Sequence, residues 1–280
     1  MSFKFGICNE MFEHWEWPDV CREARRAGYQ GVEVAPFTLA ERVTDLDQAR
    51  RREIRRAAGD QGLEVIGLHW LLVSPQGLYI NTPDDAIRHA TQDYFRHLVD
   101  FCADLGGKLM ILGSPKQRSL LPGVDYATAW ALTKETLSAI LPTAAERGVT
   151  LCFEPLTPLD TDFINTAAEA RRLLEEISHP CLRLILDVRS ASSEATPVPQ
   201  LLAENQAYLA HVHANDENER GPGFGDTDFV PIFAELRRQG YQGWVSVEVF
   251  DFSPDPVTIA TRSLEYMKRA AAGQAERPDA

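Results

Sequence analysis

Eight short apolar runs, rich in β-branched and aromatic residues, alternate along the chain with longer amphipathic stretches rich in Ala, Arg, Glu and Leu. That alternation leaves few folds open. The spacing predicts strands over Phe3 to Asn9, Gly31 to Phe37, Leu63 to Trp70, Lys108 to Gly113, Val149 to Pro155, Leu182 to Asp187, Leu209 to Ala214 and Gly243 to Phe250. Successive starts lie roughly 27 to 45 residues apart, the room that a strand, a crossover helix and two loops require. Helices are predicted over Asp45 to Gln61, Asp84 to Leu105, Tyr126 to Arg147, Thr166 to Ile177 and Pro256 to Ala272, with another starting near Phe229. Gly28, Gly62, Gly106, Gly148 and Gly240 stand just before the next strand, where a left-handed helix end favours glycine.

Eight parallel strands with crossovers, in a chain of 280 residues, match a closed (β/α)8 TIM barrel of the α/β class in number and size. An open doubly wound sheet is the alternative. Its usual phosphate-binding glycine pattern is missing after the first strand, where the chain reads Gly6-Ile7-Cys8-Asn9-Glu10. No linker divides the sequence, so residues 1–272 are read as one barrel domain and 273–280 as a frayed tail.

The chain is 44% hydrophobic, enough for one large core, and carries a formal charge of −13 with its acids scattered. Such a surface is a poor partner for nucleic acid or an anionic membrane. The charge-free run from Val65 to Pro83 is interrupted by Ser74-Pro75-Gln76-Gly77 and reads as a strand and a loop rather than a membrane span. Five widely spaced cysteines with no C-x-x-C pair indicate neither a disulfide framework nor a zinc knuckle. With no secretory leader in view, a cytoplasmic location is expected.

In a barrel the site forms at the carboxyl ends of the strands. Four residues stand out there: Glu154 after the fifth strand, Asp187 ending the sixth, His213 in the seventh and Glu248 in the eighth. Two residues back from each lie Cys152, Ile185, His211 and Ser246, while bulky Phe153, Leu186, Val212 and Val247 lie between. That pattern turns the four toward one interior. Three carboxylates and an imidazole suit one divalent metal ion, Mn2+ first, with Mg2+, Co2+ or Zn2+ as alternatives. A metal with open positions polarises a carbonyl and acidifies the neighbouring C–H, bringing an enediolate within reach. Glu154 and Glu248, nearly opposite around the ring, are placed to remove and return a proton.

These motifs are similar to those of the xylose isomerase-like TIM barrels, in particular the ketose 3-epimerases of the tagatose/psicose type. The segments Phe153-Glu154-Pro155-Leu156, Leu186-Asp187, His211-Val212-His213 with the loop Pro222 to Asp228, and Ser246-Val247-Glu248 carry the resemblance, which covers nearly the whole chain. It implies that Glu154, Asp187, His213 and Glu248 bind the metal and that Glu154 and Glu248 also carry protons. It further implies a carbohydrate substrate contacted by Asp160 and His69. Two positions depart from the pattern: Ser190 stands where the epimerases have a histidine, and Glu219 precedes Arg220 where an arginine is expected, so Arg220 is the substrate-side candidate. A dimer or tetramer is compatible with the reading. A lyase or dehydratase on a keto-sugar or 3-keto-glycoside would use the same metal and proton abstraction, and a zinc phosphodiesterase is disfavoured by the charge.

Several residues carry two readings each. Lys116 and Arg118 after the fourth strand either bind a substrate anion or form a solvated loop. His211 reads as a core residue beneath the site, and Glu33 as either a support for it or a structural ion pair. Asp226 and Asp228 are candidate helix caps, and Gly221, Gly223 and Gly225 either cradle an anion or, next to Pro222, form a mobile lid. Phe12, His14, Trp15 and Trp17 either stack on a sugar ring or pack on a partner subunit.

Overall fold

In the computed structural model, which describes residues 3–274, eight parallel strands close into a barrel in sequence order. They are β1 (Lys4–Cys8), β2 (Gly31–Val34), β3 (Glu64–Leu68), β4 (Leu109–Leu112), β5 (Thr150–Phe153), β6 (Leu182–Asp187), β7 (Leu209–Ala214) and β8 (Trp244–Val247). Pairing of β1 with β8, Phe5 opposite Val245, seals the ring. The helices are α1 (Trp17–Ala27), α2 (Gln48–Asp60), α3 (Asp85–Leu105), α4 (Tyr126–Arg147), α5 (Ala167–Ile177), α6 (Val188–Ser192), α7 (Val198–Glu204), α8 (Phe229–Arg238) and α9 (Pro256–Ala271). Among the described residues no helix is long and apolar enough to cross a membrane.

The period-two reading of the strands is visible in the packing. Ile111, Cys152 and Ile185 form a small apolar cluster of their own inside the barrel. Phe153, Leu186, Val212 and Val247 belong to the large core between strands and helices. Side chains that alternate across a strand therefore enter two separate apolar layers.

Six of the eight strands end one to three residues short of the expected carboxyl ends, while β6 and β7 match. The reason is local. Glu154 and Glu248 each follow the last strand residue, and their backbone N–H groups still reach the neighbouring strands at 3.3 Å, onto Leu112 and Ala214. The ladder loosens where the chain turns outward into loops. Helix α1 ends at Gly28, as the glycine there predicts, but its span goes unmarked in the sequence, since its Arg-rich surface hides a narrow apolar stripe of Trp17, Val20, Cys21 and Ala24. Short α6 and α7 were not expected.

Helix ends follow the chemistry of their residues. Gly28, Gly106 and Gly148 are left-handed at the ends of α1, α3 and α4, and Gly62 and Gly240 take positive φ one residue past the caps of α2 and α8. Asp228 caps α8 by accepting from the Val230 N–H at 2.9 Å, whereas Asp226 is not the cap. Of the expected tail, residues 275–280 lie outside the described residues.

Candidate active site at the carboxyl rim

Glu154, Asp187, His213 and Glu248 are all buried, and one ligand atom from each lies within 4.8 Å of the others. His213 is fully enclosed, with Nδ1 at 2.9 Å from Glu248 Oε2 and 3.7 Å from Glu154 Oε1. Both contacts are to carboxylates of the same cluster. A buried imidazole nitrogen facing three carboxylates is a donor set suited to a divalent cation, and uncompensated crowding of those acids is costly. The residues present therefore fit the metal ion that the sequence motifs imply.

Each member is held from behind. Asp187 accepts from the Ser190 N–H at 2.7 Å and from the Asn215 side-chain amide. His213 Nε2 lies 3.2 Å from Glu33 Oε2, while Glu33 Oε1 bonds His211 Nε2 at 2.6 Å. Glu33 is thus a support beneath the cluster, and His211 is the core residue expected. Space for Glu154 comes from Gly113, where an added Cβ would lie 1.9 Å from Glu154 Oε2. Arg118 is neither solvated nor turned to a ligand. It is fully buried, stacks over Phe153 at 4.9 Å, and donates to the carbonyls of Glu154 and Ile164, so it clamps the end of β5.

Two further groupings share these members: Cys8, Glu10, His69 and Glu248, and Cys8, Glu33 and His213. In both, a carboxylate already occupies an imidazole nitrogen, Glu10 on His69 at 2.6 Å and Glu33 on His213. The quartet, with three carboxylates gathered around one imidazole, is the donor set better suited to a hard divalent cation.

The electrostatics match the crowding. Burial, with the Glu154 charge added, pushes the Asp187 carboxyl up to about 6. Burial pushes Glu248 up to about 7 against the opposing pull of His213. Burial works against charge on His213, but Glu248 and Glu33 outweigh it and hold the imidazole well above its ordinary range. For Glu33 burial is likewise outweighed, by His211 and His213, and its carboxyl is held well below the usual range.

A cavity of about 160 Å³ opens above the quartet, lined by Glu154, Glu248, His69, Trp70, Asp160, Arg189 and Phe250 among others. His69 is buried, bonded to Glu10 through Nε2, and its Nδ1 has no partner. Asp160 reaches the cavity but is tied to Arg189 at 2.7 Å, and Arg189 also meets Glu219 at 2.8 Å. Arg189 is the cavity's guanidinium. Arg220 is not among the lining residues, because its Nε is held by Asp251 at 2.8 Å, and exposed Lys116 is also outside the lining. Ser190 is buried beneath Asp187 and does not line the cavity. The glycine loop, expected as a lid, is tied down: the N–H groups of Gly223, Gly225 and Thr227 all donate to the buried Asp216 carboxylate at 2.9 to 3.0 Å.

A closed parallel barrel with buried acids and an imidazole converging at its carboxyl rim defines a class of barrel with a candidate metal site under a small cavity. The chain matches the xylose isomerase-like TIM barrel family over residues 21–270 and belongs to it. It is 31% identical over 137 residues to a 3-dehydro-D-guloside 4-epimerase of Escherichia coli, a match covering 49% of this chain and 52% of that protein. That alignment spans about half the length of the relative. A D-psicose 3-epimerase of Agrobacterium fabrum is 26% identical over 257 residues, covering 88% of this chain and 85% of that one. Among solved structures, an apo 3-keto-D-glucoside 4-epimerase from E. coli superposes with a TM-score of 0.83 at 24% identity, covering 95% of this chain and 99% of the other. An L-ribulose 3-epimerase gives 0.85 at 20% identity, covering 97% and 95%. These superpositions establish the shared fold.

Proposed function

We propose that the chain is a divalent-metal-dependent sugar epimerase that inverts a carbon beside a carbonyl in a ketose or related keto-sugar. The observation that carries this reading is the buried convergence of Glu154, Asp187, His213 and Glu248 under a small cavity. The family membership and the epimerase names of several relatives support it. A cation held by the quartet, Mn2+ first among candidates, supplies Lewis-acid polarisation of a carbonyl and so acidifies the neighbouring C–H.

The chain's own residues do the rest. Glu154 and Glu248 follow strands three places apart in the ring, β5 and β8, and one removes a proton while the other delivers one to the opposite face. Glu248 lines the cavity beside His213, where a carboxylate can take up and release a proton. Glu33 fixes the ring of His213 through Nε2 and leaves Nδ1 for the cation. On the substrate side, His69 offers Nδ1, and Asp160 acts together with Arg189 to bind hydroxyl groups. Lys116 and Arg220 have no part in this scheme, since both lie outside the cavity lining. The five free cysteines support a reducing compartment, and with it a cytoplasmic location.

The test is incubation with manganese and a panel of ketoses and keto-glycosides in deuterium oxide, followed by product NMR. An epimerase gives a new stereoisomer with deuterium on the inverted carbon and no change of mass other than that of the isotope. An unsaturated product would replace this reading by the lyase one. No exchange across the panel would refute it.

A further inference from the structure

Beside the catalytic cavity, and sharing Trp70 and Phe250 with it, lies a wider cleft of about 680 Å³. Its walls are aromatic: Phe12, Trp15, Phe37, Trp70, Phe250 and Phe252. Trp15 and Phe37 stand 40% and 39% exposed, two of the three large apolar side chains on the described surface that reach such exposure. Trp17 does not join them. It is buried at the start of α1 with its indole N–H on the Ile54 carbonyl at 2.8 Å. Surface aromatics gathered around a concavity are the common means of gripping the apolar faces of flat rings.

Two further observations turn the cleft into a site. Glu10 lines it and is buried; its Oε2 holds His69 of the inner cavity, and its Oε1 is without a partner. A buried carboxylate oxygen left unpaired is costly unless a bound hydroxyl satisfies it. The volumes agree. The inner cavity of about 160 Å³ is below the ~300–1,000 Å³ typical of small-molecule sites, and with the adjoining cleft the space falls inside that range.

We infer that the aromatic cleft is a subsite for a second ring, so that the substrate is a glycoside whose keto-sugar occupies the inner cavity and whose ring substituent stacks between Trp15 and Phe37. Glu10 then joins the two compartments, positioning His69 on one side and accepting a hydroxyl of the substrate on the other. This inference rests on the sugar-epimerase reading for what occupies the inner cavity, and it names the substrate class of that site.

The test uses the full chain in manganese-containing buffer and follows tryptophan fluorescence during titration with phenyl β-D-glucopyranoside and with methyl β-D-glucopyranoside. The phenyl glycoside is expected to bind about tenfold more tightly, the gain of one good ring contact. Trp15→Ala and Phe37→Ala, both at exposed positions, are each expected to remove that preference while leaving the methyl glycoside and the far-UV dichroism unchanged. Equal affinity for the two glycosides, no saturation by either, or a preference that survives both substitutions would overturn the subsite. If sedimentation shows either substitution turning a dimer into a monomer, the aromatic face is an interface between copies and the subsite falls. Failure of every keto-sugar to exchange deuterium, with the phenyl preference intact, would sink the epimerase reading and leave the ring subsite standing.

Discussion

The two halves of the barrel rim divide the work unequally. Strands β5 to β8 supply the whole quartet of Glu154, Asp187, His213 and Glu248. Strands β1 to β4 and the loops after them supply what surrounds it: Glu33 behind His213, Glu10 holding His69, the open space at Gly113, and most of the aromatic cleft. One half concentrates charge, and the other orients that charge and shapes the space above it. A quartet of crowded acids is not rigid by itself, so the supporting half decides how well the first half works.

Substitutions on either side should separate these roles. Glu248→Gln is expected to lower turnover by about 10²- to 10⁴-fold, the range for loss of a proton-transferring group, with an unchanged far-UV spectrum. A fully active Glu248→Gln protein would break the division at its charged half. Glu33→Gln, on the other side, leaves all four members of the quartet in place. It should weaken manganese binding by roughly 10- to 100-fold in calorimetric titration, because the ring of His213 loses the carboxylate charge behind it.

Gly113→Ala tests the space that the supporting half leaves open. A methyl 1.9 Å from Glu154 Oε2 forces the carboxylate to shift, so thermal stability should fall by about 1–3 kcal/mol and manganese affinity should fall with it. An alanine protein indistinguishable from the parent would mean that Glu154 has another resting place. The smallest effect is expected outside the rim, at Glu176 of α5. Hydrogen bonds from Lys134 and Trp130 hold its carboxyl down to about 2. A depressed carboxylate stabilises the fold above its unfolded pKa of about 4.5, and that contribution disappears as the pH falls toward 2. Glu176→Gln should therefore lose less stability than the parent between pH 5 and pH 3 in denaturant titrations, with no change in metal binding.

The same division explains what could be read from the sequence. Glu154, Asp187, His213 and Glu248 sit at or beside apolar strands, where an acid or imidazole is conspicuous because burial there is costly. The barrel itself followed from the spacing of the strands. Glu10 lies in a loop, where an acid is ordinary, and went unremarked; its place two residues beyond Cys8 is the signal that could have found it. Arg189 went unremarked because it opens a five-residue helix rather than a strand end. Arg220 and Lys116 failed as cavity residues for a related reason. Loop side chains choose partners through space, and Asp251 holds Arg220 in a way that no spacing rule anticipates. Asp216, whose carboxylate gathers three N–H groups of the glycine loop, is likewise invisible until the loop is folded.

Crystals grown with manganese and measured at the manganese absorption edge should show one strong anomalous peak bounded by Glu154, Asp187, His213 Nδ1 and Glu248. A peak at Glu10 and His69 instead, or none anywhere on the rim, would contradict a cation site in that quartet.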